Sequence, residues 1–354
     1  MNICIIGQYP PQVGGIATYT KQLSDKLEEE GHNVYILTYP QNIKRKKNIF
    51  EAKTINIPII RGISFILSSY SLLNQIIEKY DIDIVHANYI IPPGLIASLM
   101  HKKDVKIVVT THGSDINILP SNKIIKPLIK YTLKHSDNIY FVSEKLEEKA
   151  LALNIPQLKE KSKLTPNTVN IHKFKPIKEN EKKLNKQYHN PLVIFIGNLV
   201  KQKGLIYLLE AKKIAKTKYD LLIYGEGPEK KLLEKYIQEN KLENTYLMGK
   251  TTTPEKIIPE SDVMVLPSIS EGASIVALES MSCGKPLVIT NSGNISSIIT
   301  NNETGIIVPI KNPSKLSEEI DKLIKNKEKR ENIGKNARKL IIEKYSQMKI
   351  PYLE

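Results

Sequence analysis

Residues 2–40, NICIIGQYPPQVGGIATYTKQLSDKLEEEGHNVYILTYP, read as strand, loop, helix and strand. Asn2–Ile6 is a short apolar run rich in isoleucine, the composition of a parallel strand covered on both faces. Gly7–Gly15 holds three glycines and two prolines and is therefore a loop. From there Ile16, Tyr19, Leu23 and Leu27 recur at helical spacing on one face. Gly31 stands where the helix stops, because glycine accepts the backbone conformation that ends one. Val34–Leu37 is the next strand. Such a unit lays two parallel strands side by side through a right-handed crossover.

The same alternation runs through the chain. Strands are expected at Ile82–His86, Lys106–Thr110 and Ile139–Val142, with helices at Gly94–His101, Lys123–His135 and Glu144–Leu153. Residues 171–190, rich in Lys, Glu and Asn and weakly periodic, read as a linker. Beyond it strands are expected at Leu192–Ile196, Tyr219–Ile223, Asp262–Leu266 and Pro286–Thr290. Helices start near Gly204, run up to Asn240, and fill Ser274–Cys283, Pro313–Lys325 and Glu328–Tyr345. The expected fold class is α/β: two doubly wound, Rossmann-like parallel-sheet domains facing across a cleft. Residues 1–170 form the first and 191–335 the second, with 336–354 a terminal helix packing back on the first. A length of 354 residues agrees with two domains. In open sheets of this kind ligands bind beyond the carboxyl ends of the strands, so residues there carry most weight.

Composition narrows the class. With 41% hydrophobic and 25% charged residues the chain is neither disordered nor fibrous. Its two cysteines, Cys4 and Cys283, cannot make a disulfide framework and are expected to be reduced and buried. No basic-then-apolar leader follows Met1, and the apolar stretch near Ile55–Leu73 is broken by Arg61, Ser68, Ser69 and Ser71. It falls short of the ~20 apolar residues of a membrane span, so a cytoplasmic location is expected. Net charge is +15, from 52 basic and 37 acidic residues, which favours anionic partners. The excess is divided between the halves: 24 basic against 16 acidic in residues 1–180, and 28 against 21 in the rest. No zinc-finger spacing, recognition helix or aromatic RNA-binding strand accompanies it, so nucleic acid is not an expected partner.

Four strand ends hold candidates. Gly14 and Gly15 follow the first strand and precede a helix, where a backbone can approach an anion. They lack the G-x-G-x-x-G spacing of a dinucleotide site, which argues against an oxidoreductase. His112-Gly113-Ser114-Asp115 follows the strand at Lys106–Thr110, where a histidine can bind a sugar hydroxyl or stabilise charge. His86 ends another strand and reads as structural. Lys201-Gln202-Lys203-Gly204 lies between a strand and a helix. Its Lys203 is the better placed to meet a diphosphate, though a solvated lysine would look the same. Glu271-Gly272 follows the strand ending at Leu266, and Glu279 lies in the next helix. The spacing of these glutamates means little; the frame of strand, Pro267, small residues, Glu271-Gly272, helix and Cys283-Gly284-Lys285-Pro286 means more. A carboxylate facing a sheet also needs a partner.

That frame resembles the donor-site motif of glycosyltransferase family 4, retaining enzymes with the GT-B fold. The other segments match in order: Gly14-Gly15, Asp83-Ile84-Val85-His86, His112-Gly113-Ser114-Asp115, Pro166-Asn167, the Gly197 loop with Lys203-Gly204, Gly225-Glu226-Gly227-Pro228, and Glu303-Thr304-Gly305 before Val308-Pro309. The resemblance covers essentially the whole chain. It implies catalytic roles for His112, Glu271 and Lys203. Glu271 would contact the donor sugar, Glu279 its ribose and Lys203 its diphosphate, with His112 near the transferred sugar. Gly14, Gly15, Gly197, Asn198, Gly225, Gly272, Ala273 and Ser274 would complete the donor site. Three departures stand out: Asn198 replaces the family's usual arginine, Thr168 and Asn170 replace its glycine and aspartate, and Ala273 replaces a bulkier aromatic. The missing arginine removes one charge from the leaving diphosphate.

The resemblance implies transfer of a sugar from a UDP-, GDP- or ADP-sugar to a hydroxyl acceptor, with retention and without metal or other cofactor. The acceptors it implies are a glycan, a small molecule or a lipid-linked hydroxyl. Ile43-Lys44-Arg45-Lys46-Lys47 and the amphipathic Ile63–Ile77 stretch read either as a dock on an anionic membrane or as a solvated loop and a core-facing helix. Three alternatives stay open: a nucleotide-sugar 2-epimerase, an inactive sugar-nucleotide-binding homologue, for which Asn198 is the motive, and a phosphorylase acting on phosphorylated sugars.

Overall fold

The computed structural model describes residues 1–12, 14–40, 48–55, 58–181, 184, 187–271, 274–293 and 295–353. The basic run at 43–47 and the donor-site candidates Gly272 and Ala273 lie outside the described residues.

The chain divides into two compact units. Unit 1 is Met1–Asn167 together with Met348–Glu354, and unit 2 is Thr168–Gln347. In unit 1 the strands are β1 (Asn2–Ile6), β2 (Asn33–Thr38), β3 (Ile49–Glu51), β4 (Ile84–Asn88), β5 (Lys106–Thr111), β6 (Asn138–Phe141) and β7 (Ser162–Leu164). They form one sheet in the order β3-β2-β1-β4-β5-β6-β7, every pair parallel. Unit 2 has β8 (Leu192–Ile196), β9 (Asp220–Tyr224), β10 (Thr245–Gly249), β11 (Val263–Leu266), β12 (Leu287–Thr290) and β13 (Ile306–Val308). Their order is β10-β9-β8-β11-β12-β13, again all parallel. The chain starts in mid-sheet in both units, winds to one edge, and returns to wind to the other. The reversal falls between β1 and β4 in unit 1 and between β8 and β11 in unit 2, and each such point opens a crevice at the carboxyl ends.

The helices that matter below are α1 (Gly15–Glu29), α2 (Pro58–Tyr80), α3 (Leu95–Ser98), α4 (Ile125–Lys134), α5 (Leu205–Lys213), α6 (Ile275–Ser282) and α7 (Lys327–Lys344). The first helix forms as its stripe dictates, with Ala17, Tyr19, Leu23 and Leu27 all buried. The middle strands make the cores. Ile3, Cys4, Ile5 and Ile6 of β1 and Leu192–Phe195 of β8 are fully buried. Each large aliphatic side chain so covered contributes about 1.5–3 kcal/mol. Both cysteines are free and buried, and burial pushes each thiol up to about 12.

Three features differ from the sequence expectation. β3, β7, β10 and β13 are additional strands, and α2 runs over Pro58–Tyr80. The stretch read as a linker is, where described, bound to unit 2: Phe174 and Tyr188 join its core, and the Ser282 hydroxyl donates to the Phe174 carbonyl at 2.6 Å. The terminal helix is α7, which begins at Lys327 and lies in unit 2, so only Met348–Glu354 belongs to unit 1. Among the described residues no helix is long and apolar enough to cross a membrane.

Candidate active site

In unit 2 the loops after β8 and β11 are fastened together. After Gly197 and Asn198 the chain makes a tight turn at Lys201–Lys203 before α5. The carbonyl of Gln202 accepts the N–H of Ile269 at 2.7 Å and that of Ser270 at 3.3 Å. Gly204 has φ +63°, and a Cβ there would come within 2.3 Å of the Pro267 carbonyl oxygen. Only glycine allows the two loops to lie this close.

Across this junction the Lys203 ammonium pairs with Glu271 Oε2, with the two side chains 22% and 11% exposed. Ser268 Oγ donates to the same oxygen at 3.1 Å. The Thr290 hydroxyl, at the end of β12, in turn donates to the Ser268 carbonyl. Gly293 closes the other side: a Cβ there would meet the Glu271 carbonyl oxygen at 1.9 Å. An ion pair this far from water persists only where its neighbours hold the geometry, and here backbone and hydroxyls do so. The partner that the Glu271 carboxylate needs is Lys203.

Glu279 lies in α6, whose first turn is capped by Ser274: its Oγ accepts from the Ala277 N–H at 3.4 Å. Glu279 is 4% exposed. Burial pushes its carboxyl up to about 8; Lys173 acts against this and Glu255 with it. Near neutrality the group is therefore largely protonated and can donate as well as accept a hydrogen bond. Gly197 and Gly225 knit the strand ends, the first donating to the Tyr224 carbonyl at 3.0 Å and the second to that of Gly249 at 2.8 Å. Asn198 is exposed.

In unit 1, His112 follows β5 directly. The Asp115 carboxylate is buried and accepts the backbone N–H of His112 at 3.1 Å and of Gly113 at 2.8 Å, which folds the turn. Burial raises that carboxyl to about 6, against those hydrogen bonds. The Tyr19 ring and the imidazole meet edge to face, 4.8 Å between centroids. His112 is partly exposed as a residue, yet its Nε2 is buried and has no hydrogen-bond partner. Desolvation lowers its pKa to about 3, so the ring is neutral. Gly14 precedes α1 and Gly15 is its exposed first residue.

His86, read from sequence as structural, has both ring nitrogens within hydrogen-bond distance of protein groups. It is fully buried inside β4, with Nε2 2.7 Å from Thr110 Oγ1 and Nδ1 3.1 Å from the Tyr352 hydroxyl. The sequence also contains an Asp-x-Asp, Asp81-Ile82-Asp83, a pattern that argues for metal and that the sequence reading passed over. Its place is the amino end of β4, where Asp83 Oδ2 accepts the Asn2 N–H at 2.7 Å and the Asp81 carbonyl accepts from the Asn2 amide at 3.1 Å. The pair ties β1 to β4 at the opposite end from His112.

Comparison with known proteins decides what this arrangement belongs to. Residues 13–173 match the family described as Glycosyltransferase Family 4, and residues 176–340 match Glycosyl transferases group 1. An uncharacterized glycosyltransferase of Methanocaldococcus jannaschii is 30% identical over 342 residues, which span 96% of this chain and 92% of that protein. The chain belongs to glycosyltransferase family 4. The N-acetyl-alpha-D-glucosaminyl L-malate synthase of Bacillus anthracis is 27% identical over 96% of this chain and 92% of its own. Among solved structures, sucrose-phosphate synthase from Thermosynechococcus elongatus superposes with a TM-score of 0.84 at 21% identity, covering 97% of this chain and 94% of that one. The Anabaena protein HepE, solved in complex with UDP-glucose, does so with 0.84 at 16% identity, covering 98% and 95%. At those identities the likeness shows the fold, and the fold is that of GT-B glycosyltransferases.

Within this transferase the structure joins Lys203 and Glu271 directly. Glu279 is placed separately on α6 and His112 in the other unit. Sequence reasoning missed Ser268, Thr290 and Tyr19. Ser268 sits in the run of small residues after Pro267, and Thr290 is the last residue of its strand. Both positions signal a loop anchor only once the loop between them is known to carry Glu271.

Proposed function

We propose that this glycosyltransferase moves a sugar from a nucleoside-diphosphate sugar to a hydroxyl acceptor, with retention of configuration and without metal. The observation that carries the reading is the Lys203–Glu271 pair at the switch point of unit 2, held by Ser268 and by the clasp of Gln202 on the β11 loop. A lysine there can release one partner and meet a diphosphate, while the N-terminus of α5 adds partial positive charge. As the sugar–phosphate bond breaks, negative charge grows on the leaving diphosphate. Lys203 then gains interaction in the transition state, which is the condition for raising kcat. Glu271, freed from the ammonium, accepts sugar hydroxyls. Glu279 binds the ribose hydroxyls, and His112, neutral, serves as hydrogen-bonding group to the sugar rather than as a charged acid. The donor of the HepE complex supports a uridine nucleotide as the first to test.

The test is nucleotide release from UDP-, GDP- and ADP-sugars in the presence of EDTA, with Glu271→Ala as control. Release of one nucleotide by the wild type alone is expected. A Glu271→Ala enzyme with unchanged kcat and KM would sink the assignment.

A further inference from the structure

At the amino end of the unit 1 sheet two histidines come together. His101 lies in the turn between α3 and β5, and His135 ends α4 just before β6. α3 packs against α4, and the two imidazoles stand 4.6 Å apart between centroids, tilted by 54°. The ring of Tyr131, one helical turn before His135, lies 4.2 Å from the His135 ring and steadies it. Sugar transfer uses neither histidine, for both lie at the end of the sheet opposite His112.

The hydrogen bonds of the two rings decide which nitrogens are available. His101 Nδ1 is 2.9 Å from the Ser98 carbonyl oxygen, and His135 Nδ1 is 2.9 Å from that of Tyr131. A carbonyl only accepts, so each Nδ1 carries a proton and donates it. In the neutral ring Nε2 then keeps its lone pair. Neither Nε2 has a hydrogen-bond partner among the described residues. His101 is exposed and His135 half-buried, so a solute can reach the pair. One ring nitrogen tied to a backbone carbonyl, with the other left free, is the arrangement that orients histidine ligands on a metal. An imidazole nitrogen lies about 2.0–2.1 Å from zinc, which sets the centroids of two rings on one ion about 5 Å apart. The observed spacing suits an ion held by both.

The surroundings say which ion. Lys102, Lys103 and Lys134 flank the pair in sequence. Lys103 is paired with Glu78 at 2.7 Å, and the Lys161 ammonium donates to the Lys134 and Ser136 carbonyls at 3.0 Å. Among the described residues no group of three or more His, Cys, Asp or Glu could hold a metal, so no carboxylate completes the pair. Such a site repels hard cations, which bind through charge to oxygen, and suits ions that bond to imidazole.

We propose that His101 Nε2 and His135 Nε2 together bind one divalent transition-metal ion of the copper, nickel or zinc type. Water fills the other positions. The ion fastens the end of α4 to the turn after α3 and takes no part in the reaction. The proposal does not rest on the transferase reading, and it is measured without any sugar nucleotide.

The experiment titrates the untagged, full-length protein, first dialysed against a chelator, with divalent copper, nickel, zinc and magnesium by calorimetry, and follows Tm with each. One ion per chain is expected, with copper the tightest and magnesium silent, and binding should raise Tm. His101→Ala and His135→Ala should each weaken binding at least about tenfold. His32→Ala/His172→Ala/His189→Ala, which removes three histidines elsewhere, should stay within about twofold of the wild type. Electron paramagnetic resonance of the copper form should show two imidazole nitrogens, and one in either single variant. If His135→Ala does not melt like the wild type without metal, His101→Gln at the exposed ring replaces it. No binding by the wild type, unchanged binding in the single variants, or equal loss in the triple control would overturn the proposal.

Discussion

Lys203 and Glu271 each supply what burial of the other requires. The ammonium and carboxylate are largely out of water and share one contact that Ser268 steadies. Replacing Lys203 by alanine leaves the carboxylate short of a partner and removes the charge facing the leaving group. Loss of one such stabilising group costs about 10²–10³ in kcat. The expected outcome for Lys203→Ala is a fall of that size in nucleotide release, with KM changed much less. A variant that lowered Tm but left kcat intact would show the pair to be structural only. Because the two residues act as one unit, Lys203→Ala/Glu271→Ala should fall well short of the product of the single effects. Glu279 makes a different prediction, since its carboxyl is raised to about 8 by burial. In the unfolded chain it ionises near pH 4.5. Between those values the folded state holds a proton that the unfolded state has lost. Its contribution to stability is thus complete below about pH 4.5 and declines as pH rises towards 8. Glu279→Gln should flatten that decline in a series of thermal melts. The same slope in both proteins would mean that Glu279 ionises normally.

At the scale of elements, the site depends on two loops held at a distance only glycine permits. Gly204→Ala would place a Cβ 2.3 Å from the Pro267 oxygen, and Gly293→Ala one 1.9 Å from that of Glu271. Both also force alanine into positive φ, +63° and +123°. Each should cost more than about 1 kcal/mol of stability. Gly293→Ala should in addition raise KM for the donor, because the strain is relieved by moving Glu271. Chemical denaturation and donor kinetics on the same preparation separate the two effects. Neither contact could be read from sequence, although Gly204 itself marked a helix start. The strands show why some elements are legible and others are not. The inner strands β1, β5, β8 and β9 are covered on both faces and read as apolar runs, NICII, KIVVTT, LVIFI and DLLIY. The four strands missed, β3, β7, β10 and β13, are the four sheet edges. IFE, SKL and IIV are three residues long, and TYLMG is half-exposed throughout. An edge strand pairs on one side only and needs neither length nor a continuous apolar run. The linker reading has the same origin: Phe174 and Tyr188 are single anchors among Lys, Glu and Asn, and single anchors carry no period.

At the scale of the whole chain, two units that share the order of their first six strands have separate sheets and separate cores, and the last residues test how separate they are. Met348–Glu354 belongs to unit 1, although α7 before it lies in unit 2. Its Tyr352 closes a buried set of rings. The hydroxyl reaches His86 Nδ1 at 3.1 Å, and the ring lies 5.6 Å from that of His86 and stacks at 6.1 Å on Tyr140. His86 is thereby held neutral, with a pKa lowered to about 3 by desolvation and by nearby His112. The unfolded imidazole takes up a proton near pH 6.5. Stability from His86 is therefore present above that value and is lost as pH falls from about 6.5 towards 3. His112, lowered for the same reason, adds in the same direction. Protection of the amides of β4 and β5, referred to the intrinsic exchange rate at each pH, should accordingly fall between about pH 7 and pH 5 more than that of β8 and β9. Tyr352→Ala admits water to His86 and removes a buried ring and a hydrogen bond. It should lower protection of β4 and β5 already at neutral pH, by about 1–3 kcal/mol, and leave β8 and β9 as they were. Equal loss in β8 and β9 would show that the two sheets open as one cooperative body, and that the shared strand order does not amount to two independent stabilities.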